Sequence, residues 1–213
     1  MARPRAADHE DKRQAILARA AELFALHGYD RASLAMIAQA SGVSKALVYH
    51  YWPDKEAMLF DVLAGHLQRL VEVVRAANDP ACHSAPPGRA RLEAVAAALL
   101  EAYRDADAVH RVQITCMPLL TPAHQDALRS LERALVAEVT DILLDISPLA
   151  QDRRLLKPLA MSFFAMLNWH YLWHREDGPL TRADYARMAA ALVADGLPGA
   201  ARAVGAGRRA AAE

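Results

Sequence analysis

Donor side chains suited to a nucleic-acid groove are concentrated between residues 33 and 55 of this chain. Lys45, His50 and Tyr51 fall on one short predicted helix and are residue types that reach base edges and phosphates. Ser33 and Lys55 each stand at the start of a predicted helix, where free N–H groups and the positive end of the helix dipole favour an anion. These residue types and spacings predict a DNA-binding element.

Two short helices joined by a glycine turn would position these side chains. Ser33 is placed to cap the first helix, and apolar residues follow it at helical spacing. Gly42 tolerates a positive φ, so the first helix can stop sharply there. Ser44 offers a second cap, and the following seven residues, through Tyr51, make about two turns. This arrangement predicts a helix-turn-helix.

The same residues resemble a known family signature. The helix-turn-helix pattern of TetR/AcrR-type transcriptional regulators is similar to Gly42-Val43-Ser44 followed by Val48-Tyr49-His50-Tyr51-Trp52-Pro53-Asp54-Lys55-Glu56. The run from Arg13 to Phe24, with Gly28-Tyr29 after it, resembles the first helix of that family. The resemblance implies a homodimeric, DNA-binding repressor that a small apolar effector releases from a palindromic operator.

Three positions depart from the family pattern. Ala46 stands where glycine is common, Leu47 where a small or hydroxylated residue is common, and Trp52 where phenylalanine is common. Because Ala46 and Leu47 lie near the start of the recognition helix, the operator sequence cannot be carried over from relatives. Leu47 could pack on a thymine methyl group or turn inward.

The resemblance further implies that the helix from Lys45 enters the major groove and that residues around it hold phosphates. The candidate DNA contacts are Arg31, Ser33, Ser44, Lys45, Ala46, Leu47, Tyr49, His50, Tyr51 and Lys55. A purely structural role is the alternative for some of them: the two serines could serve only as helix caps, and Tyr49 could bury its ring. Val48 and Trp52 are assigned to core packing.

Composition gives this interpretation only limited support. The 25 Lys and Arg residues balance 25 Asp and Glu residues, and a net charge of zero counts against nucleic-acid binding. Affinity would therefore depend on local charge, with Arg3 and Arg5 adding to the basic residues named above. Cys82 and Cys116 are too few and too far apart for a disulfide framework or a metal motif. The polar N-terminus lacks the apolar core of a signal peptide, so we expect a cytoplasmic protein without a membrane partner.

Helical periodicity runs through the whole sequence and predicts an all-α protein of about nine helices. After the helix-turn-helix, the pattern predicts helices over residues 54–76, 89–106, 107–117, 122–145, 153–174 and 181–197; a first helix covers residues 8–27. Thr181 with Asp184 resembles a capping box. We expect an N-terminal helix-turn-helix domain over residues 1–53, a C-terminal helical effector-binding and dimerisation domain over 54–197, and a disordered tail over 198–213.

The predicted helix over residues 153–174 is apolar nearly all round, so it must be covered on every side. A partner helix is one cover and a ligand pocket is another, while an ordinary buried helix is the simplest alternative. Aromatic and methionine side chains are typical of interface cores. Because one recognition helix reads only a few base pairs, a useful operator needs two copies. We predict a homodimer through this helix and the last one.

Polar residues on otherwise apolar helices predict a small-molecule site in the C-terminal part of the chain. The candidate lining residues are Tyr103, Arg104, His110, Met117, Phe163, Met166, Leu167, Asn168 and Trp169. The segment from Asn168 to Leu197 resembles the C-terminal helices of TetR-type regulators that have acyl-CoA and related thioester effectors. That resemblance implies an acyl or aryl chain among the apolar members, with Arg104 or Arg111 on the CoA phosphates.

Other constellations support different functions only weakly. His170 and His174 lie one helical turn apart, which is metal-ligand spacing, but the sequence offers no obvious third ligand. Cys116 could be a redox-sensing thiol, although such a cysteine is usually a small hydrophobe. A metal or thiol sensor, or a response to another lipophilic compound, therefore remains the alternative. Dinucleotide, phosphate-loop and nucleophile-elbow motifs are missing from the sequence, so we predict neither an enzyme nor a bound cofactor.

Overall fold

The computed structural model describes residues 3–79, 88–104, 106–146 and 153–210, and helices make up its regular structure. These described residues form nine α-helices, which are α1 Arg3–His27, α2 Leu34–Ala40, α3 Lys45–Tyr51, α4 Lys55–Asn78, α5 Arg89–Ala102, α6 Asp107–Cys116, α7 Pro122–Ile146, α8 Arg153–Asn168 and α9 Arg182–Ala210. Short 3₁₀ helices cover Met117–Leu119 and His170–Leu172. Strands do not occur within the described ranges, which confirms the all-α prediction. Those ranges also hold no helix long and apolar enough to cross a bilayer.

The chain divides by packing into two compact units. The first unit consists of residues 1–68 and 105–131, and the second consists of residues 69–104 and 132–213. The expected domain boundary after Pro53 stays a prediction. Each unit is described on its own below.

In the first unit, α1 packs against α2 and α6, and α2 packs against α3. Val48 and Trp52, at the end of α3, are completely or almost completely buried, as the sequence predicted. The Trp52 indole Nε1 donates to the Asp61 carboxylate at 2.9 Å, and an Arg13 guanidinium nitrogen donates to the same oxygen at 2.5 Å. Asp61 thus joins α1, the end of α3 and α4 through one carboxylate oxygen.

In the second unit, α9 packs along α5 and also against α8. The buried core includes Leu92 and Leu99 of α5, Phe163 and Leu167 of α8, and a series of alanines in α9. Small side chains on α9 allow the larger residues of α5 and α8 to approach its axis closely. The Tyr185 hydroxyl donates to the Met166 carbonyl at 3.0 Å and ties α9 to the end of α8.

Two predicted helices are shorter in the structure. The helix expected to reach His174 ends at Asn168 and is followed by the 3₁₀ turn. The ring centroids of His170 and Trp173 lie 4.8 Å and 5.0 Å from that of Tyr185, so this segment packs on α9. Packing therefore decides the helix end where residue type alone would allow the helix to continue. Similarly, α5 ends at Ala102 and not at Ala106.

Two helices are longer than predicted. The first helix begins at Arg3, before the expected start at Asp8. The last helix does not end near Leu197, since α9 continues to Ala210 with Pro198 inside it. The expectation of a disordered tail from residue 198 is corrected accordingly, and residues 211–213 of that tail lie outside the described residues. Alanine is the commonest residue of this segment and, like arginine, is a strong helix former.

Candidate DNA-binding and ligand sites

Both short helices of the helix-turn-helix have the caps that the sequence predicted. The Ser33 hydroxyl accepts the N–H of Met36 at 3.2 Å, and the Ser44 hydroxyl accepts the N–H of Leu47 at 3.1 Å. Gly42, in the turn between the helices, has a φ of +66°. Since this backbone region is unfavourable for other residues, glycine suits the turn. The capping role of both serines is therefore confirmed, while a phosphate contact by either stays a prediction.

The exposed face of α3 carries several predicted DNA contacts together. Lys45, Ala46, Tyr49 and His50 are exposed, with Tyr49 at 55%. These positions are spaced i, i+1, i+4 and i+5, so they share one side of the helix. Leu47 is half-buried, which leaves part of its side chain accessible. A cleft of about 380 Å³ lies along α2 and the turn after it, and is lined by Ala35, Met36, Ala38, Gln39, Val43 and Lys45.

Tyr51 makes contacts with other residues of the protein and is not fully exposed. Its ring centroid lies 4.8 Å from that of His9, and its hydroxyl donates to the His9 carbonyl at 3.4 Å. The Tyr51 ring also lies 5.2 Å from the Trp52 ring. These contacts hold Tyr51 against α1, and the predicted phosphate contact would have to be made from that position.

Lys55 has a structural role that the sequence did not predict. Its ammonium group donates to the carbonyl oxygens of Tyr29, Asp30 and Ala32 at 2.6, 3.2 and 3.1 Å. The same nitrogen lies 4.2 Å from the centre of the Tyr29 ring. Since an ammonium group has three donors, this arrangement uses all of them to hold the turn between α1 and α2.

Arg31 lies in the same turn and is exposed. Its Nε donates to the His27 carbonyl at the end of α1, at 3.1 Å. That bond satisfies one of the carbonyls left open at a helix C-terminus. The rest of the guanidinium is placed at the surface of the first unit, as a phosphate contact requires.

A second feature of the first unit, not predicted from the sequence, is the contact between Glu56 and the start of α7. One carboxylate oxygen of Glu56 accepts the Thr121 N–H and contacts His124 Nδ1, both at 2.9 Å. The Thr121 and His124 hydrogen bonds lower the pKa of Glu56. The His124 ring stacks on Phe60, with centroids 4.2 Å apart. The first turns of α4 and α7 are thereby fixed to each other.

The predicted effector-site residues are divided between the two units, and their role as one site stays a prediction. His110 and Met117 belong to the first unit, while the other seven belong to the second. Tyr103, Phe163 and Leu167 are buried, and the Tyr103 hydroxyl donates to Asn168 at 2.8 Å. Burial raises the pKa of Tyr103 far above its ordinary value. Met166 is half-buried, whereas Trp169 is 50% exposed.

A cleft of about 370 Å³ lies within the second unit, and Arg104 is the predicted residue that lines it. The remaining lining residues are Ala97, Glu101, His174, Glu176, Thr181, Arg182 and Ala183. Arg182 donates to Glu176, and Arg104 donates to Glu101 at 2.8 Å. At the start of α9 the predicted capping box is present, because the Thr181 hydroxyl accepts the Asp184 N–H and Asp184 accepts the Thr181 N–H, both at 3.1 Å. Sequence reasoning missed most of this cleft, since the α8–α9 connection determines which residues meet.

The histidine pair at metal-ligand spacing is packed as a stack. The rings of His170 and His174 are 4.2 Å apart, and the Nε2 atoms of both are buried without a hydrogen-bond partner in the described part of the chain. Burial, together with the nearby His174 and Arg182, lowers the pKa of His170 to about 4. No group of three or more metal-binding side chains occurs among the described residues. Cys116 is a buried free thiol.

A capped helix-turn-helix with an exposed second helix, on an all-α scaffold, defines the class of helix-turn-helix DNA-binding regulators. Two family models agree with that class. Residues 16–62 match the model described as bacterial regulatory proteins of the tetR family, and residues 85–197 match a tetracyclin repressor-like C-terminal domain. The chain belongs to the TetR family of transcriptional regulators.

Individual relatives show the same relationship. A TetR-family transcriptional regulator from Bordetella parapertussis 12822 is 35% identical with a TM-score of 0.74, covering 85% of this chain and 93% of that one. AibR, in a structure with isovaleryl coenzyme A and operator DNA, is 23% identical with a TM-score of 0.70, covering 85% of this chain and 97% of that one. At that identity the likeness concerns the fold.

Among curated proteins, the HTH-type transcriptional repressor Rv1474c of Mycobacterium tuberculosis (strain ATCC 25618 / H37Rv) is 34% identical over 62 residues. The match covers 29% of this chain and 33% of that protein. The chain therefore matches about a third of the length of this curated relative.

Proposed function

We propose that this TetR-family regulator is a homodimeric repressor that binds a palindromic operator and leaves it when a small apolar effector binds. The observation that carries the proposal is the exposed face of α3, where Lys45, Tyr49 and His50 stand together on a helix capped by Ser44. A helix presented in this way fits the major groove, with its N-terminal residues against base edges.

Dimerisation is proposed through the exposed faces of α8 and α9. Met161 of α8 and Leu192 of α9 are 49% and 57% exposed, and Met188 is exposed on the same side of α9 as Leu192. Beyond Leu192, a Cβ built at Gly196 or Gly199 meets nothing within 4 Å, so a partner helix has room to approach the backbone there. Apolar and methionine-rich faces of this kind are typical of interface cores.

The effector is proposed to be an acyl- or aryl-CoA thioester. The support is the resemblance of the C-terminal segment, the isovaleryl coenzyme A bound to AibR, and the position of Arg104 at the charged cleft. Phe163, Met166 and Leu167 remain the proposed contacts of the apolar chain. Another lipophilic compound is the alternative. A metal sensor has no support from the described residues, and Cys116 is buried, which does not favour a thiol sensor.

Release of DNA would follow from unequal binding of the effector to two forms of the dimer. A ligand shifts such an equilibrium only by the difference in its affinity for the two forms, commonly about 1–3 kcal/mol. We propose that the effector favours the form in which the two α3 helices no longer match successive major grooves.

The test is fluorescence anisotropy of the complex between the protein and the DNA upstream of its own gene, titrated with a panel of acyl- and aryl-CoA thioesters. We expect one thioester to release the DNA while free coenzyme A at the same concentration does not. Release by a lipophilic compound that lacks coenzyme A would support the alternative effector. If no thioester of the panel releases the DNA, the thioester proposal is refuted and the DNA-binding proposal stands.

A further inference from the structure

The charged cleft of the second unit has features that DNA binding does not require. Arg104 enters it from the residues following α5, Arg182 from the first turn of α9, and His174 and Glu176 from the connection between α8 and α9. Its volume of about 370 Å³ falls within the range of small-molecule pockets.

An anion of the chain itself occupies part of this cleft. A single Glu176 oxygen accepts hydrogen bonds from Arg182 Nε at 3.0 Å and from a terminal Arg182 nitrogen at 2.6 Å. The hydrogen bond from Arg182 lowers the pKa of Glu176, so its carboxyl group is ionised at neutral pH. The Glu176 side chain is 68% exposed, whereas that of Arg182 is 19% exposed. The carboxylate thus lies at the solvent side of a largely buried guanidinium.

His174 supplies a second, independent indication of a ligand. Its side chain is only 6% exposed, and its Nε2 has no hydrogen-bond partner among the described residues. The Glu176 oxygen is 4.0 Å from this nitrogen, which is beyond hydrogen-bond distance. A buried polar atom without a partner is costly, so a ligand group that reached it would be stabilised.

The start of α9 places the positive end of a helix dipole at the same cleft, which favours a bound anion. Thr181 and Asp184 satisfy each other in the capping box. Helix geometry offers no intrahelical acceptor for the N–H groups of Arg182 and Ala183, and the positive end of the helix dipole lies there. Both residues line the cleft. An anion at this place would therefore meet a guanidinium and the start of a long helix together.

We propose that this cleft binds the anionic group of a small ligand, a carboxylate or a phosphate, which replaces the Glu176 carboxylate on Arg182 and reaches His174 Nε2. Glu176 is then an internal competitor that holds the site in the absence of ligand. The proposal deepens the proposed function by naming where the polar end of the effector binds, but anion binding itself does not depend on DNA.

Isothermal titration calorimetry of the full chain without DNA tests the site, with sodium hexanoate as the carboxylate probe and free coenzyme A as the phosphate probe. We expect one probe to bind, and Glu176→Gln to tighten its binding by roughly threefold to tenfold because the competing charge is gone. Arg182→Ala should weaken binding by roughly tenfold or more. His174→Phe, which keeps an aromatic ring but removes Nε2, should also weaken binding.

The ion pair between Arg89 and Asp195 gives matched controls in the same unit, since its atoms are 3.0 Å apart and neither residue lines the cleft. Arg89→Ala and Asp195→Asn make the same charge changes and should leave probe binding unchanged. If circular dichroism shows that Arg182→Ala does not fold, Arg182→Lys replaces it in the test, because lysine retains the charge. Arg182→Lys should bind the probe more weakly than wild type does.

The proposal is overturned if neither probe binds or if Glu176→Gln weakens probe binding. It is also overturned if Asp195→Asn tightens probe binding as much as Glu176→Gln does. Operator binding is measured separately, so that failure of the anion site can be distinguished from failure of the proposed function: a protein that binds its operator but neither probe lacks only the anion site. A third outcome is also informative. If a probe binds as expected, but neither that probe nor any thioester releases the operator, the anion site stands. Its assignment to the effector is then refuted.

Discussion

At the scale of single residues, Lys45 and Lys55 have different environments although the sequence suggests similar roles. Lys45 is exposed at the start of α3, whereas the ammonium of Lys55 donates to three backbone carbonyls. The sequence alone predicts that Lys55→Ala reduces the salt dependence of DNA binding by one phosphate contact. The geometry favours a structural role for Lys55, because a lysine that already donates three hydrogen bonds has none left for a phosphate.

Lys45→Ala should therefore weaken DNA binding on all sequences and lower the slope of log K against log salt by ~1. Lys55→Ala should instead leave that slope unchanged and destabilise the fold by about 1–3 kcal/mol through its lost hydrogen bonds. Anisotropy at several salt concentrations and urea unfolding measure the two effects. A reduced slope for Lys55→Ala, with unchanged stability, would restore Lys55 as a phosphate contact.

Ser33 allows its capping role to be separated from its predicted phosphate contact. Asp caps a helix about as well as Ser, so Ser33→Asp should leave the melting temperature nearly unchanged. If a phosphate approaches the start of α2, the added charge should weaken DNA binding by roughly tenfold, the effect of one charged contact. Ser130→Asp, at an exposed position of α7, controls for net charge. If Ser33→Asp and Ser130→Asp bind DNA with equal affinity, Ser33 is a helix cap and not a phosphate contact.

At the scale of elements, the connection between α8 and α9 is where sequence reasoning failed and where the fold depends on buried polar groups. Residues 169–173, which are apolar or aromatic apart from His170, continue a helical pattern. The first strong turn signal comes only at Asp177-Gly178-Pro179. The helix nevertheless ends at Asn168, because His170 and Trp173 pack on Tyr185, a residue distant in sequence. The start of α9 was predictable, since its capping box is local.

His170 should make the stability of the protein depend on pH. Its pKa is about 4 in the folded protein, owing first to burial and then to His174 and Arg182, with Glu176 opposing; the ordinary value is 6.5. Between these values the unfolded chain binds the extra proton, so stability is present above pH 6.5 and is lost as the pH falls toward 4. The loss has an upper bound of about 3 kcal/mol.

His170→Phe keeps an aromatic ring in the stack and removes the titration. Urea unfolding at pH 7 and at pH 4.5 should show a smaller loss of stability for His170→Phe than for wild type. His50→Gln, at an exposed histidine of α3, should keep the wild-type pH dependence. The same pH dependence in all three proteins would show that His170 does not contribute.

At the scale of the whole molecule, the sequence predicted the helical class and the helix-turn-helix well, because caps, turns and amphipathic faces are local. Ser33 and Ser44 cap the starts of α2 and α3, and Gly42 has a positive φ just after the end of α2. The charged cleft was not predictable in the same way, since Arg104 and Arg182 are far apart in sequence and meet only through the packing of α5 along α9. The contact of Glu56 with Thr121 is hidden from sequence reasoning for the same reason.

Assembly is the second property at this scale. Leu192→Glu places a charge on the proposed interface, so we expect dissociation of the dimer and loss of operator binding. Leu26→Glu, at a leucine of α1 that is 74% exposed, is the matched control and should remain dimeric. Sedimentation equilibrium over a range of concentrations, compared with a chain mass of 23.3 kDa, distinguishes monomer from dimer. A Leu192→Glu protein that stays dimeric would place the interface elsewhere.

The most direct test of the central claim is the binding of the protein to the DNA upstream of its own gene, followed by anisotropy together with stoichiometry. Wild type should bind two protomers per site with strong salt dependence, and the double variant Lys45→Ala/His50→Ala should lose specific binding while keeping its helical content. Specific binding by wild type that survives in the double variant would contradict recognition through α3. Absence of specific binding by wild type would mean that the operator does not lie in this DNA or that the proposed function is wrong.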